Sequence, residues 1–255
     1  MEQTYHIICD SKDIGKYVLL PGDPDRVEII ASYLDNPRFV TKNREFTVYT
    51  GTLDGVSVSV ASTGIGAPSA AIAMEELIKL GAHTFIRVGT CGCMNDIPSP
   101  GDTIIATAAI RRDGTSRQYL PIEFPAVANQ EIINALADSC RQLGITSHMG
   151  IIESKDSYYG QHEPENSPMA PVLLDKWDMF CKGGAIASEM EASILFILGS
   201  VRHARVGCIL HVTRNRVREE KLHTEEIRFT DTTRTIQAAV NAMKSLIEKD
   251  KEIVS

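Results

Sequence analysis

The sequence has no apolar segment long enough to cross a membrane. Its longest apolar run, ASILFILGSV, falls well short of the roughly 20 residues that a membrane-spanning helix needs. The first residues, MEQTYHIICDSKDIGK, also lack the basic stretch followed by an apolar core that is typical of a secretory signal. We therefore expect a soluble, cytoplasmic protein without a membrane partner.

A cluster of basic residues is also missing. The net charge is −7, and acidic and basic side chains are interspersed without the Lys/Arg run that nucleic-acid-binding surfaces carry. This distribution argues against a nucleic-acid partner and predicts that any bound anion is small and held locally. No linker rich in glycine, serine or proline divides the chain, so we expect a single domain over residues 1–255.

Recognisable cysteine motifs are lacking as well. The six cysteines are scattered through apolar segments and turns, and the CGC motif at 91–93 has neither the spacing nor the second ligand pair of a structural zinc site. A chain of this size does not depend on disulfides, so we expect reduced and mostly buried thiols. No Ser/His/Asp or Cys/His arrangement is recognisable, which argues against a covalent nucleophile.

What the sequence does contain is an alternation of strand-like and helix-like segments. Buried strands are indicated by HTFIRVGTCG, GDTIIATAAI, ITSHMGIIES and RVGCILHVTRN, and a hairpin turning at 53–55 by FTVYTGTLDGVSVSVAST. Helices are indicated by APSAAIAMEELIKLG, ANQEIINALADSCRQLG, EMEASILFILGS and DTTRTIQAAVNAMKSLIEKD. The alternation predicts a layered α/β fold with some antiparallel pairing, in which ligands bind beyond the carboxyl ends of the strands.

The segment VLLPGDPDRV places an arginine where local structure does not explain it. Asp23 can cap a helix that begins at Pro24, but the first turn of a helix carries a partial positive charge and favours acidic residues. Arg26 beside Gly22 therefore indicates one half of an anion site. Other strand ends offer glycine amides, a hydroxyl and further guanidinium groups that suit a phosphate, at Gly64, Gly66, Arg87, Gly89, Thr90 and Arg214.

Five segments, in order, resemble the uridine phosphorylase branch of the nucleoside phosphorylase family: PGDPDRVEIIA, REFTVYTGTLDGVSVSVASTGIGAPSAAIAMEEL, IRVGTCG, EFPAVA and EMEAS. The similarity covers nearly the whole chain. It implies a three-layer sandwich with a mixed central β-sheet flanked by helices. It also implies cleavage of a nucleoside by inorganic phosphate, without a required cofactor, to free base and ribose 1-phosphate. The active sites would lie at dimer interfaces within a homohexamer.

The resemblance also implies roles for individual residues. Phosphate would be bound by Gly22, Arg26, Arg87 and Thr90, together with Arg44 of a neighbouring subunit. Ribose would be bound by Met190, Glu191 and a His6 from across the dimer. The catalytic residues would be Arg87, Thr90 and Glu191. A monovalent cation, potassium in the family, would lie between subunits near Glu45, Ile65 and Ser69.

Several of these residues also have a plain structural explanation. Arg26 and Arg44 could form surface salt bridges, Arg87 could be a strand-end cation, and His6 could simply be solvated. The acidic residues of EMEAS could serve a helix N-terminus. If the motif is helical, Glu189 and Glu191 are two residues apart and lie on different faces, which predicts separate roles.

The base-recognition loop departs from the family pattern. Uridine enzymes of the family use an aromatic residue, a glutamine and, two residues later, an arginine. Tyr158 and Gln161 fit the first two positions, but Glu163 replaces the arginine. A carboxylate cannot donate a hydrogen bond to the uracil oxygen on which negative charge accumulates. Either Lys155 or His162 acts as the donor, with Arg214 in support, or the base is different.

Several functions therefore stay open. The first is phosphorolysis of uridine to uracil and ribose 1-phosphate. The second is phosphorolysis of a 6-oxopurine nucleoside, in which Glu163 would bind a ring N–H. His211 could then donate to the purine ring, although a core position explains it equally well. A hydrolytic nucleosidase would not need three phosphate-directed arginines, and a nucleoside-binding protein without catalysis is the remaining alternative.

Overall fold

A ten-stranded mixed sheet organises the protein, whose computed structural model describes residues 4–225 and 228–254. The strands are β1 (Tyr17–Leu20), β2 (Asp35–Asn43), β3 (Phe46–Leu53), β4 (Val56–Ala61), β5 (Thr84–Cys93), β6 (Thr103–Arg112), β7 (Ala126–Val127), β8 (Ser147–Lys155), β9 (Ala187–Glu189) and β10 (Arg205–Arg214). The helices are α1 (Asp25–Ala31), α2 (Ala67–Lys79), α3 (Gln130–Gln142), α4 (Tyr158–His162), α5 (Ala170–Lys182), α6 (Ala192–Arg202), α7 (Arg216–Leu222) and α8 (Thr233–Val254).

The sheet is partly closed on itself. Its strands follow the order β10-β6-β8-β9-β5-β1-β4-β3-β2, and β10 also pairs with β5. Five strands, β5, β10, β6, β8 and β9, therefore form a ring, while β1, β4, β3 and β2 extend the sheet from one side of β5. Parallel and antiparallel pairs both occur. The predicted α/β fold with a mixed central sheet flanked by helices is confirmed.

The sheet divides beside β5. The last β1 residue, Leu20, pairs with Arg87, whereas β9 takes up pairing only at Gly92 and Cys93. Within the described residues, no strand pairs with this edge of β5 between those points, although β10 pairs along the other edge. The division leaves room for side chains and a ligand. The loops that follow β1, β4 and β9 all reach this gap.

Several local sequence signals have the structure they predict. The β3–β4 hairpin turns at Asp54 and Gly55, whose φ angles of 50° and 77° fit a tight turn with two left-handed residues. The side chain of Asn129 caps α3 by accepting hydrogen bonds from the backbone N–H groups of Glu131 and Ile132. Helix α6, apolar on all sides, is buried from Ala192 to Gly199.

Other elements carried no clear signal. Strand β2 is mostly exposed and lacks the alternation of polar and apolar residues that predicts a strand. Helix α5 has no fully buried residue, so its apolar positions do not mark a core face. No described helix, in residues 4–225 and 228–254, is long and apolar enough to cross a membrane. The six cysteines are free thiols, and all but Cys181 are buried, as predicted.

The contact between α3 and β10 gives a stability prediction. A Cβ atom at Gly207 would lie 2.9 Å from Ile132 Cβ and closer still to its Cγ2. We expect Gly207→Ala to lower the free energy of unfolding by roughly 1–3 kcal/mol through overpacking, measured by urea denaturation. In an Ile132→Ala background the same substitution should cost clearly less. Equal costs in both backgrounds would contradict this close packing.

Candidate active site

A cavity of about 1370 Å³ opens where the sheet divides beside β5. It is bounded by the ends of β1, β5, β8, β9 and β10 and by helices α4 and α7. Most of the residues predicted for the site line it, namely Gly22, Arg26, Glu45, Ile65, Arg87, Thr90, Lys155, Tyr158, Gln161, His162, Met190, Glu191 and Arg214. Three predicted residues, His6, Arg44 and Ser69, lie outside its lining.

Arg87 lies at the centre of the cavity wall and is almost completely buried. Its Nε donates to Glu189 Oε2 at 2.8 Å, and its Nη2 forms an ion pair with Glu191. Burial alone would lower the pKa of Arg87, but the carboxylates of Glu191 and Glu189 raise it above its usual value. The third nitrogen, Nη1, is buried and has no hydrogen-bond partner among the described residues.

Glu189 and Glu191 converge on Arg87, so the expectation that they lie on separate helix faces is wrong. The chain changes from strand to helix between them, because Glu189 ends β9 and Glu191 immediately precedes α6. Glu189 accepts hydrogen bonds from the backbone N–H groups of Glu191 (2.8 Å) and Ala192 (2.9 Å), which caps α6. Glu191 accepts one from the Gly66 N–H at 2.6 Å. Burial raises the pKa of Glu191, and Arg87 opposes that shift.

Arg26 provides a second cation close to Arg87. Helix α1 begins at Asp25, one residue later than predicted, and the Asp23 carboxylate accepts a hydrogen bond from the Asp25 N–H at 3.0 Å. The Arg26 Nε lies 3.6 Å from Asp23 Oδ2. Burial lowers the pKa of Arg26, Asp23 counteracts this, and the nearby charge of Arg87 lowers it further. In the described chain, its Nη1 is also buried without a hydrogen-bond partner.

Gly22 completes this end of the cavity. A Cβ atom at Gly22 would lie 3.9 Å from Arg87 Nη1 and 3.4 Å from the Gly64 carbonyl oxygen, so the guanidinium group lies near Gly22. Buried N–H donors without partners are costly, and two of them on neighbouring cations call for an acceptor. The arrangement suits a small, multiply charged oxyanion.

The opposite end of the cavity carries the residues predicted to bind a base. The Tyr158 and His162 rings lie 4.2 Å apart between centroids, and Tyr158 is half exposed. Burial lowers the pKa of His162 to about 4, and the positive charges of Lys155 and Arg216 contribute, so this imidazole is neutral at pH 7. Arg214 donates from Nε to Glu219 Oε1 at 2.7 Å.

Two residues considered for a purine base lie elsewhere. Glu163 is exposed, accepts a hydrogen bond from Asn166 Nδ2 at 3.1 Å and does not line the cavity. His211 is buried, and its Nε2 lies 3.1 Å from the Phe229 carbonyl oxygen. His211 also lies outside the cavity lining, which agrees with a core position. The expectation that Glu163 faces a purine ring is therefore not supported by its position.

His6 and Arg44 occupy one edge of the protein, outside the cavity. Asn43 Nδ2 donates to the His6 carbonyl oxygen at 2.9 Å, which places His6 beside the exposed hairpin tip that carries Arg44. The His6 ring Nδ1 lies 2.7 Å from Glu76 Oε1, and the backbone N–H groups of His6 and Ile7 donate to the same carboxylate at 3.0 and 2.6 Å. Glu76 therefore fixes this segment.

The residues predicted for a cation lie near the cavity rim. Ser69 Oγ is 2.9 Å from Glu45 Oε1 and 2.5 Å from the Thr63 carbonyl oxygen. Ile65 is exposed and lines the cavity beside Glu45. The oxygen atoms gathered here are of the type that hard cations bind.

Sequence reasoning missed a group of polar residues behind the base-binding end. Glu153 and Ser188 are buried, and Ser188 lies on β9 opposite Glu153 of β8. Arg112, at the end of β6, forms an ion pair with Glu153 and lines the cavity. Glu153 directly precedes the base-recognition loop that begins at Ser154, and Ser188 directly precedes the EMEAS motif. Their proximity, however, depends on the pairing of β8 with β9.

Comparisons with known proteins show the family to which the chain belongs. Residues 16–249 match the family described as Phosphorylase superfamily. The chain is 48% identical over 246 residues to a uridine phosphorylase of Treponema pallidum, covering 96% of this chain and 95% of that protein. It is 42% identical over 250 residues to a uridine phosphorylase of Thermococcus kodakarensis, with 97% and 88% coverage. A guanosine phosphorylase of Halorubrum lacusprofundi is 35% identical over 217 residues, with 85% and 86% coverage. The chain therefore belongs to the Phosphorylase superfamily.

Proposed function

We propose that the protein is a pentosyltransferase that cleaves uridine with inorganic phosphate, yielding uracil and ribose 1-phosphate. The observation that carries this proposal is a pair of buried guanidinium nitrogens, on Arg26 and Arg87, that have no hydrogen-bond partner within residues 4–225 and 228–254, the Arg87 nitrogen lying near Gly22. Relatives named uridine phosphorylase that match over nearly the whole chain support the choice of nucleoside. The exposed position of Glu163 counts against the purine alternative.

Phosphate binds at the end of the cavity lined by Gly22, Arg26, Arg87 and Thr90. The guanidinium groups supply permanently charged N–H donors that keep the nucleophile in place, and a lysine would not reproduce their geometry. Thr90 adds a hydroxyl from β5. Because Arg87 is itself held by two carboxylates, it binds phosphate from a fixed position.

Ribose lies between the phosphate and the base. Glu191 accepts hydrogen bonds from the 2′ and 3′ hydroxyl groups, and Met190 packs against the sugar ring. Both residues line the cavity next to Arg87. The Glu191 carboxylate contacts both the sugar hydroxyl groups and the Arg87 guanidinium group. It therefore links sugar binding to phosphate binding.

The reaction needs no covalent nucleophile. A phosphate oxygen forms the new bond to C1′ while the C1′–N1 bond breaks, and its electron pair stays on the base. The proton that hydrogen phosphate gives up balances the proton that the departing uracil anion takes up. The protein contributes by positioning phosphate and by stabilising the charge that develops on the base. The base is surrounded by Tyr158, Gln161, His162, Lys155 and Arg214.

The active site includes residues of a neighbouring subunit. His6 and Arg44 share an edge outside their own cavity, and Asn43 and Glu76 hold His6 there. In a homodimer, this edge supplies His6 to the partner's ribose and Arg44 to the partner's phosphate, and three dimers form a hexamer. A potassium ion would lie between subunits near Glu45, Ile65 and Ser69, where the Glu45 carboxylate and the Ser69 hydroxyl supply oxygen atoms.

The substrate assignment is tested by following base release from uridine and inosine, each with and without phosphate. We expect release from uridine that requires phosphate and yields ribose 1-phosphate. Cleavage of uridine at an equal rate without phosphate would contradict phosphorolysis. Phosphate-dependent cleavage of inosine alone would contradict the choice of uridine.

Arg26→Ala tests the phosphate site. Loss of one charged hydrogen-bond donor should raise the KM for phosphate roughly 10- to 100-fold, with a much smaller effect on the KM for uridine. Arg38→Ala is the matched control, because Arg38 pairs with Asp13 at 3.1 Å and lies outside the cavity. An unchanged phosphate KM in Arg26→Ala would place the anion elsewhere.

A subunit-mixing experiment tests the shared active site. We expect Arg44→Ala and Glu191→Gln each to lose most activity as pure proteins. After unfolding and refolding together, mixed dimers contain one site with both native residues, so about a quarter of the wild-type activity should return for random pairing. No recovery, with mixed dimers demonstrated by native mass spectrometry, would contradict a site shared between subunits.

A further inference from the structure

A buried chain of polar groups ends at Lys155 in the base-binding end of the cavity. Arg112 pairs with Glu153, Ser188 Oγ lies 2.8 Å from Glu153 Oε2, and Lys155 Nζ donates to Ser188 Oγ at 2.8 Å. Gln161 Oε1 lies 3.0 Å from the same Ser188 oxygen. Lys155 and Gln161 are therefore neighbours on one wall of the cavity.

The positive charge of Lys155 is not needed to neutralise Glu153. Glu153 is completely buried, and Arg112 already provides its counter-charge. Lys155 uses one of its three N–H donors on Ser188, and the residue is part of the cavity lining. A buried ammonium group is costly. Its position beside the cavity therefore favours a ligand with an anionic or strongly accepting group.

Two other candidates for the cation beside the base, His162 and Arg214, are less suited. The low pKa of His162, about 4, leaves it neutral at pH 7. Arg214 is engaged by Glu219 and has a second carboxylate, Glu225, at 3.7 Å. Burial lowers the pKa of Lys155, but Glu153 on its own strand, Glu189 at the end of β9 and Glu191 just after β9 oppose that change. These carboxylates favour the ammonium form.

We propose that Lys155 is the catalytic cation that contacts the base carbonyl and stabilises the negative charge left on uracil when the C1′–N1 bond breaks, in place of the missing loop arginine. This inference rests on the proposed phosphorolysis of uridine. Arg112, Glu153 and Ser188 are positioning residues that act through Lys155. Together they form a lysine-based alternative to an arginine in the loop.

The same chain accounts for recognition of the base edge. The Ser188 hydroxyl has one proton and two nearby acceptors, and the charged Glu153 carboxylate makes the stronger bond. Gln161 Oε1 is then available to accept the N3–H of uracil while Lys155 donates to the O4 carbonyl oxygen beside it. Cytosine presents an amino group and an unprotonated ring nitrogen at these positions, so the pair selects against cytidine.

Lys155→Met tests the catalytic role by comparing uridine with 5-fluorouridine, whose base is the better leaving group. We expect kcat for uridine to fall roughly 10²- to 10³-fold. The loss should be several-fold smaller for 5-fluorouridine, because its base anion needs less stabilisation. Lys176→Met is the control, since Lys176 is exposed and outside this cavity. Similar losses for the two nucleosides, or no loss, would overturn the proposal.

Ser188→Ala tests the positioning role and covers the case in which Lys155→Met does not fold. This smaller change removes the Lys155 anchor and leaves the Arg112–Glu153 pair in place. It should lower kcat for uridine by about tenfold, with the same smaller loss for 5-fluorouridine and an unchanged KM for phosphate. Equal losses for both nucleosides would overturn the proposal. Absence of phosphate-dependent cleavage by the wild-type protein would instead overturn the proposed function.

Discussion

Arg87 is held between the carboxylates of Glu189 and Glu191, and this arrangement determines the shape of the site. One guanidinium nitrogen binds each carboxylate, and the third lies near Gly22. Glu189 also caps α6, and Glu191 also accepts from Gly66. The strand end, the helix start and the glycine loop are thereby fixed around one cation. Removing the Arg87 guanidinium group would leave two buried carboxylates without a counter-charge, which would lower the free energy of unfolding by about 3–5 kcal/mol.

The two ends of the cavity are built in the same way, with a cation held in place by protein groups. At the proposed phosphate end, carboxylates fix Arg87, and its Nη1 has no hydrogen-bond partner among the described residues. At the proposed base end, Ser188 accepts a hydrogen bond from Lys155 and donates one to Glu153. In each case buried acidic groups position the cation, directly or through a hydroxyl group. Fixed charges of this kind need little reorganisation during the reaction.

The sequence predicts much of the fold and of the phosphate end, because both depend on local patterns. Arg26 follows a strand–turn–helix signal, and the β3–β4 hairpin follows from its turn residues. The roles of Glu189 and Ser188 depend on register instead, since β9 has only three residues and pairs with β5 and β8 at once. No periodicity is visible over so short a strand. The ion pair of Glu153 with Arg112 could not be predicted for the same reason, because strand pairing brings the two residues together.

The central claim is that the Nη1 atoms of Arg26 and Arg87, which have no hydrogen-bond partner in the described part of the chain, form the phosphate site. A crystal structure with phosphate and a non-cleavable uridine analogue tests it most directly. The account predicts phosphate oxygens within hydrogen-bond distance of both Nη1 atoms and of the Gly22 backbone, with the sugar hydroxyl groups on Glu191. Phosphate bound away from both arginines, with their Nη1 atoms contacting protein groups instead, would contradict it.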